Sequence, residues 1–209
     1  MAAVACSGTR DSAPQLKPTT PSTAAATSPA PPDPLTLVLR SGDVADATAD
    51  RAPLRIPSPR FVPCGERSSV PLPEARAAAV SFSVAGHNVG ETAYTFPDAA
   101  TAHARAEALI RGRKACPEFP QQVTVGGKPR PDVTMRRQPY PGLHYGDESY
   151  VYLQSGHVPG IGDQRFVVVV ARVGATVLEL TVSTGERRDD ATVDAVARAA
   201  VTRVGDQGR

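Results

Sequence analysis

The chain has 209 residues, with 23 Lys plus Arg against 21 Asp plus Glu, and neither sign gathers into a run, which excludes the electrostatic footprint of a nucleic-acid-binding protein. Apolar residues make up 41% and aromatics 5%, with no Trp, so a core must be built from Val, Ala, Leu and a few Phe and Tyr. Length alone allows one or two domains, but the first third is so rich in proline and small residues that one domain is the better count.

The chain opens Met1-Ala2-Ala3-Val4-Ala5-Cys6-Ser7-Gly8. This resembles the end of a bacterial lipoprotein signal, in which the cysteine is lipidated and becomes the first residue. A full signal carries a basic segment and about 7 to 15 apolar residues ahead of cleavage, whereas five residues precede Cys6 and Ala3 stands where Leu is commoner. Two explanations stay open: a start placed too far downstream, or a cytoplasmic start with an incidental cysteine. The first is preferred, because a tether-like segment follows. From 7 to 34 the sequence is almost wholly Ser, Thr, Pro, Ala and Gly, and such a stretch cannot bury enough apolar area to offset its ordering entropy. Extended at about 3.1 Å per residue, it would reach on the order of 80 Å, enough to hold a domain off a membrane.

One α+β domain is expected over 35–206, with an antiparallel β-sheet and packed helices in the order α-β-β-α-β-β-β-β-α. Leu35 to Val44 reads as a short helix or strand, with helix preferred. Residues 45–73 carry six prolines and no sustained periodicity, so an irregular connection is expected, with one extended piece at Leu54 to Ile56. Val80, Phe82 and Val84 alternate, Gly86 to Gly90 reads as a turn, and Glu91 to Phe96 alternates again, which makes a β-hairpin. Asp98 then caps a helix whose Ala99, Ala102, Ala106, Leu109 and Ile110 share a stripe, with Pro117 as the stop.

After a short strand near Gln122 to Val125 and an irregular Gly-Gly-Lys-Pro turn, a strand runs from Ser149 to Ser155. Phe166 to Val173 and Thr176 to Ser183 form the clearest hairpin, turned at Gly174-Ala175. The last element is a helix from Asp190 to Val204, capped by Asp189 or Asp190, with Val193, Val196, Ala197, Ala200, Val201 and Val204 on one face.

The three cysteines are Cys6, Cys64 and Cys116, and no CxxC pair or His-Cys spacing of the zinc type joins them. The odd count is explained if Cys6 carries lipid and Cys64 pairs with Cys116, which requires an oxidising compartment. That bond would staple the irregular connection to the end of the Asp98 helix; the alternative is two buried thiols.

Ala77 to Phe96, the alanine-rich Asp98 to Cys116 helix ending in Cys-Pro, the Gly146-Asp147-Glu148 turn before a strand, and the Phe166 to Val204 hairpin plus helix together resemble the actinobacterial extracytoplasmic sensor-domain lipoproteins. These are related to the extracellular sensor domain of a mycobacterial serine/threonine kinase. The resemblance spans roughly residues 35 to 206 and implies an exported α+β domain with a cleft for an unidentified ligand and no catalytic residues. That kinase domain has two disulfides, whereas only Cys64 and Cys116 are available here.

No GxSxG, HExxH, GxGxxG or P-loop occurs, so neither catalytic residues nor a metal nor a cofactor is assigned. His87, His103, His144 and His157 are scattered and read as solvent-exposed. Residues Tyr140 to Tyr152 hold four of the five tyrosines beside two carboxylates, a composition common in binding surfaces. Tyr145, Asp147, Glu148, Tyr150 and Tyr152 are therefore the candidate ligand-binding residues; the competing reading has Tyr150 and Tyr152 covering a sheet and Asp147-Glu148 in a solvated turn. The expected function is a non-enzymatic lipoprotein, anchored outside the cell membrane, that binds a small molecule, a cell-wall component or an envelope protein. The alternatives are an envelope enzyme and an assembly or scaffold protein.

Overall fold

In a computed structural model the described residues are 30–49, 51–65, 68–125, 128–129, 133–185 and 189–207. Cys6 and the stalk as far as residue 29 lie outside them. The elements are α1 (Pro34–Leu37), β1 (Ala47–Ala49), β2 (Leu54–Ile56), β3 (Arg60–Phe61), β4 (Val70–Pro71), β5 (Arg76–Val84), β6 (His87–Thr95), α2 (Ala99–Lys114), β7 (Glu118–Gln121), β8 (Thr124–Val125), β9 (Lys128–Pro129), β10 (Val133–Pro139), β11 (Glu148–Val158), β12 (Gly162–Val173), β13 (Thr176–Ser183) and α3 (Asp190–Gln207). Nine strands form one antiparallel sheet in the order β1-β5-β6-β13-β12-β11-β10-β7, with β2 also paired to β5. The α+β class and the antiparallel sheet are as the sequence implies.

Period-2 alternation sends each central strand's side chains to two different cores. Val167, Val169 and Ala171 of β12 and Leu178, Leu180 and Val182 of β13 pack with Val193, Val196, Ala197 and Ala200 of α3. On the other face, Val168, Val170 and Val177 pack with Ala102, Ala106 and Leu109 of α2. The run Val167 to Ala171 is buried throughout, because helices cover both faces there. Residues Leu37, Val38 and Leu39 complete the α3-side core at 0 to 1% exposure. This segment is a single helical turn, started by Asp33 accepting from the Leu35 amide and by Pro34, followed by extended chain.

Helix α2 starts where Asp98 accepts from the Thr101 amide, and α3 starts at Asp189, which accepts from the Thr192 amide, so each acidic cap satisfies an otherwise orphaned N–H. The first hairpin turns over Ala85 and Gly86 alone, both at positive φ (49° and 81°). Both central residues of such a turn must take the left-handed region, and the strand then resumes at His87. The five-residue turn expected up to Gly90 is corrected to two residues. Of the strand expected near Gln122 to Val125, only Thr124–Val125 is extended, as β8, while β7 lies just before it at Glu118–Gln121. Pro120 is tolerated in β7 because β7 is the sheet edge. Strand β10 replaces part of the expected irregular stretch.

Cys64 and Cys116 form a disulfide with Cα atoms 5.7 Å apart and a sequence separation of 52. The staple seats Pro63 on α2 so closely that a Cβ on Gly112 would stand 2.8 Å from the Pro63 Cβ. Glycine inside a helix costs about 1 kcal/mol relative to alanine, and here it is what lets the loop approach.

Candidate ligand cleft

Two positions that the apolar patterning reserves for the core hold arginines. In α2 the buried stripe runs Ala102, Ala106, Leu109 and then Arg113. In β10 the inward residues are Val133, Met135 and Arg137. Arg113 is 3% exposed and Arg137 8%. Both meet at one end of the α2-side sheet face, beyond the last apolar turn of α2.

The floor of this region is set by strand register. Tyr152 lies opposite Val168, which lies opposite Thr181. In the next row Arg137 faces Gln154 and Gln154 faces Phe166. Glu179 projects to the same side from β13, as its ion pair with Arg113 shows. Together with Phe119 and Gln121 of β7 and with Val62 and Gly65, these residues line an open cavity of about 310 Å³. A second hollow of about 270 Å³ shares Val62, Glu179 and Thr181 with it, so the concavity runs on across β6 and β5 as a groove.

The charges in the cleft are only partly matched. Arg113 donates through one terminal nitrogen to Glu179 Oε1 at 2.6 Å, and its guanidinium carbon lies 5.6 Å from the Tyr152 ring centroid. Its Nε and other terminal nitrogen are buried with no hydrogen-bond partner. Arg137 stacks 3.9 Å over the Phe119 ring and lies 5.3 Å from that of Tyr152. One terminal nitrogen donates to the Pro63 and Cys116 carbonyls, so it ties together the two arms joined by the disulfide. The Arg137 Nε is buried and unpartnered, and burial pulls this guanidinium below the ordinary arginine value. Burial likewise pushes the Tyr152 phenol up to about 12, so its hydroxyl stays a neutral donor at physiological pH. The arrangement can hold a small polar or anionic molecule: two desolvated guanidinium groups, two side-chain amides and three rings converge on one hollow.

Of the five candidate residues, Tyr152 alone lines this cavity. Tyr150 stacks on it with centroids 5.3 Å apart and lies under the Lys114 ammonium at 5.0 Å, just outside. Asp147 and Glu148 hold a turn together: Arg172 pairs with both at 2.8 and 2.5 Å, and Asp147 also accepts from the Gly174 amide. A Cβ at Gly146, whose φ is +62°, would stand 2.3 Å from the Arg172 carbonyl, which explains the glycine. Tyr145 lies in the opposite core, its hydroxyl donating to Asp194 of α3 at 3.2 Å. The tyrosine-rich segment is thus divided between the two faces of the sheet. Sequence reasoning missed Arg113 and Arg137; the signal was available as an arginine at the next inward position of each pattern.

The histidines do not converge. His87 bridges the Ser183 carbonyl and Asp189, His103 meets Glu148, His144 meets Ser149 and His157 meets Asp163. Among the described residues no three His, Cys, Asp or Glu side chains are grouped for a metal ion, and no helix is long and apolar enough to cross a membrane.

No family model and no curated protein matches the chain. Among solved structures it is similar to the extracellular domain of PknH from Mycobacterium tuberculosis, at 15% identity and a TM-score of 0.56, over 81% of this chain and 93% of that one. A putative uncharacterized protein of Mycobacterium smegmatis, an Rv0999 ortholog, aligns at 12% identity and a TM-score of 0.39, over 77% of this chain and 90% of that one. The match to the PknH extracellular domain shows that this chain shares its overall fold.

Proposed function

We propose that the chain is the extracytoplasmic, sensor-like part of an envelope lipoprotein: Cys6 carries the lipid, residues 7–34 span the distance from the membrane, and the folded domain binds a small molecule without transforming it. The observation that carries this reading is the cleft between α2 and the sheet, where Arg113 and Arg137 are buried with unpartnered donors. Buried cations with unmade hydrogen bonds are costly in a domain that uses them only for packing, whereas a ligand-binding site gains from them. The disulfide supports an oxidising compartment, and the likeness in fold to a domain described as extracellular agrees with it.

The test is mass spectrometry of the full protein expressed from its own upstream DNA in a related host. A diacylglyceryl group on Cys6, a gain of about two daltons on reduction and a bound small molecule under native conditions are expected. The bound molecule should be lost in Tyr152→Ala while the far-ultraviolet circular dichroism is kept. An unmodified Met1 with free thiols would overturn the export reading, and chemical conversion of the bound molecule would overturn the non-enzymatic one.

A further inference from the structure

Resting on the cleft as the binding site, we infer that its ligand is a small monoanionic carboxylate, gripped by Arg113 and Arg137 against the Tyr152 and Phe166 rings. Charge and the unmet donors point to it. The side chains lining the cavity include two cations, Arg113 and Arg137, and one anion, Glu179, so the described lining has an excess of one positive charge. Neither arginine reaches solvent well, at 3% and 8% exposure, so that charge is poorly served by water. Three of the guanidinium nitrogens have no acceptor: Nε and one terminal nitrogen of Arg113, and Nε of Arg137.

A guanidinium presents its Nε and a terminal N–H as a planar fork that matches a carboxylate in bidentate geometry. In Arg113 the terminal nitrogen on the Nε–H side of that fork is the one held by Glu179, so Nε and the terminal nitrogen on the Cδ side stay free as two separate donors, each able to give one charge-assisted hydrogen bond to a carboxylate oxygen. A single negative charge neutralises the excess, whereas a phosphate dianion would leave a net negative charge beside Glu179 in a poorly solvated site. The cavity of about 310 Å³ lies at the small end of ligand pockets. The two amides that close it, Gln121 and Gln154, already bond to each other at 3.2 Å, so the strongest unmet demand is for an acceptor.

The experiment uses the full oxidised chain, labelled with nitrogen-15, and follows the arginine Nε–H resonances during titration with benzoate, the neutral isostere benzamide, and inorganic phosphate. Calorimetry on the same samples gives affinities. Benzoate is expected to move the Arg113 and Arg137 signals in a saturable way and to bind at least about tenfold more tightly than benzamide or phosphate, the scale of one charge-assisted hydrogen bond.

Because Arg137 also braces the disulfide loop, Arg137→Gln could weaken binding by loosening the fold. The deciding variant is therefore Glu179→Gln, which removes the competing anion and should tighten benzoate several-fold; a purely structural role for Glu179 would not strengthen binding. Equal affinity for benzoate and benzamide would overturn the carboxylate assignment and leave the cleft as a binding site for neutral molecules. Tighter binding of phosphate would overturn the monoanion argument. No movement of either arginine signal with any of the three probes would overturn both the carboxylate inference and the cleft reading beneath it.

Discussion

Replacing Glu91 with glutamine should stabilise the protein in alkaline solution and remove much of its pH dependence. Glu91 sits in β6 at 2% exposure, on the α3 side of the sheet, where Oε2 accepts from the Leu39 amide at 2.7 Å and Oε1 has no partner. Burial raises its pKa from 4.5 to about 8, against the Leu39 N–H and Arg203, which lower it, and with Asp43, which raises it. The folded carboxyl therefore keeps its proton up to about pH 8, while the unfolded one releases it near 4.5. Between those values the folded state binds more protons, so stability falls as pH rises and levels off above the folded value. At about 1.4 kcal/mol per pKa unit the full loss is on the order of 5 kcal/mol, a large fraction of a typical domain stability.

Glutamine keeps the acceptor for Leu39 and cannot ionise. Glu91→Gln should match the wild type within about 1 kcal/mol in acid and exceed it by about 3 to 4 kcal/mol in alkali. Urea unfolding followed by circular dichroism at about pH 5, 7 and 9 measures this difference. Parallel stability curves for the two proteins across that range would refute the reasoning.

Gly112→Ala should destabilise by about 1 to 2 kcal/mol in thermal unfolding, because the 2.8 Å approach of the Pro63 Cβ outweighs the helix-propensity gain of about 1 kcal/mol. The double variant Cys64→Ser, Cys116→Ser opens a loop with a sequence separation of 52 and should cost about 4 kcal/mol in denaturant unfolding. Tyr145→Phe removes the hydrogen bond to Asp194 and should cost about 1 kcal/mol while leaving ligand affinity unchanged. Tyr152→Ala should lose binding at least about tenfold, since one of the two rings flanking the arginines is gone.

Most of the fold was legible because its strongest elements obey simple periods. The β12–β13 hairpin, the β5–β6 hairpin and both long helices announce themselves by alternation or by a three-four stripe closed with an acidic cap. Cysteine arithmetic pointed to Cys64 and Cys116, which the structure brings together. What escaped were the places where a polar residue occupies an inward slot. Strand β10 was hidden because Arg137 follows Val133 and Met135 on the buried face, so its alternation looked like an irregular polar stretch. The cleft was hidden for the same reason at Arg113. The tyrosine-rich segment misled in the opposite direction: composition grouped five residues that the turn at Gly146 divides, sending Tyr145 to the α3 core and Tyr152 to the cleft.

The most direct test of the central claim is where a native ligand sits. Amide chemical-shift mapping of the oxidised chain, titrated with the small molecule released from the protein purified out of its own envelope, locates it. Shifts concentrated at Arg113, Phe119, Arg137, Tyr152, Gln154 and Thr181, around the cavity of about 310 Å³, are expected. Shifts confined to the polar groove near Arg136 and Asp163 on the other side of the β10–β12 sheet, or to the Asp147-Glu148 turn, with the cleft silent, would contradict it.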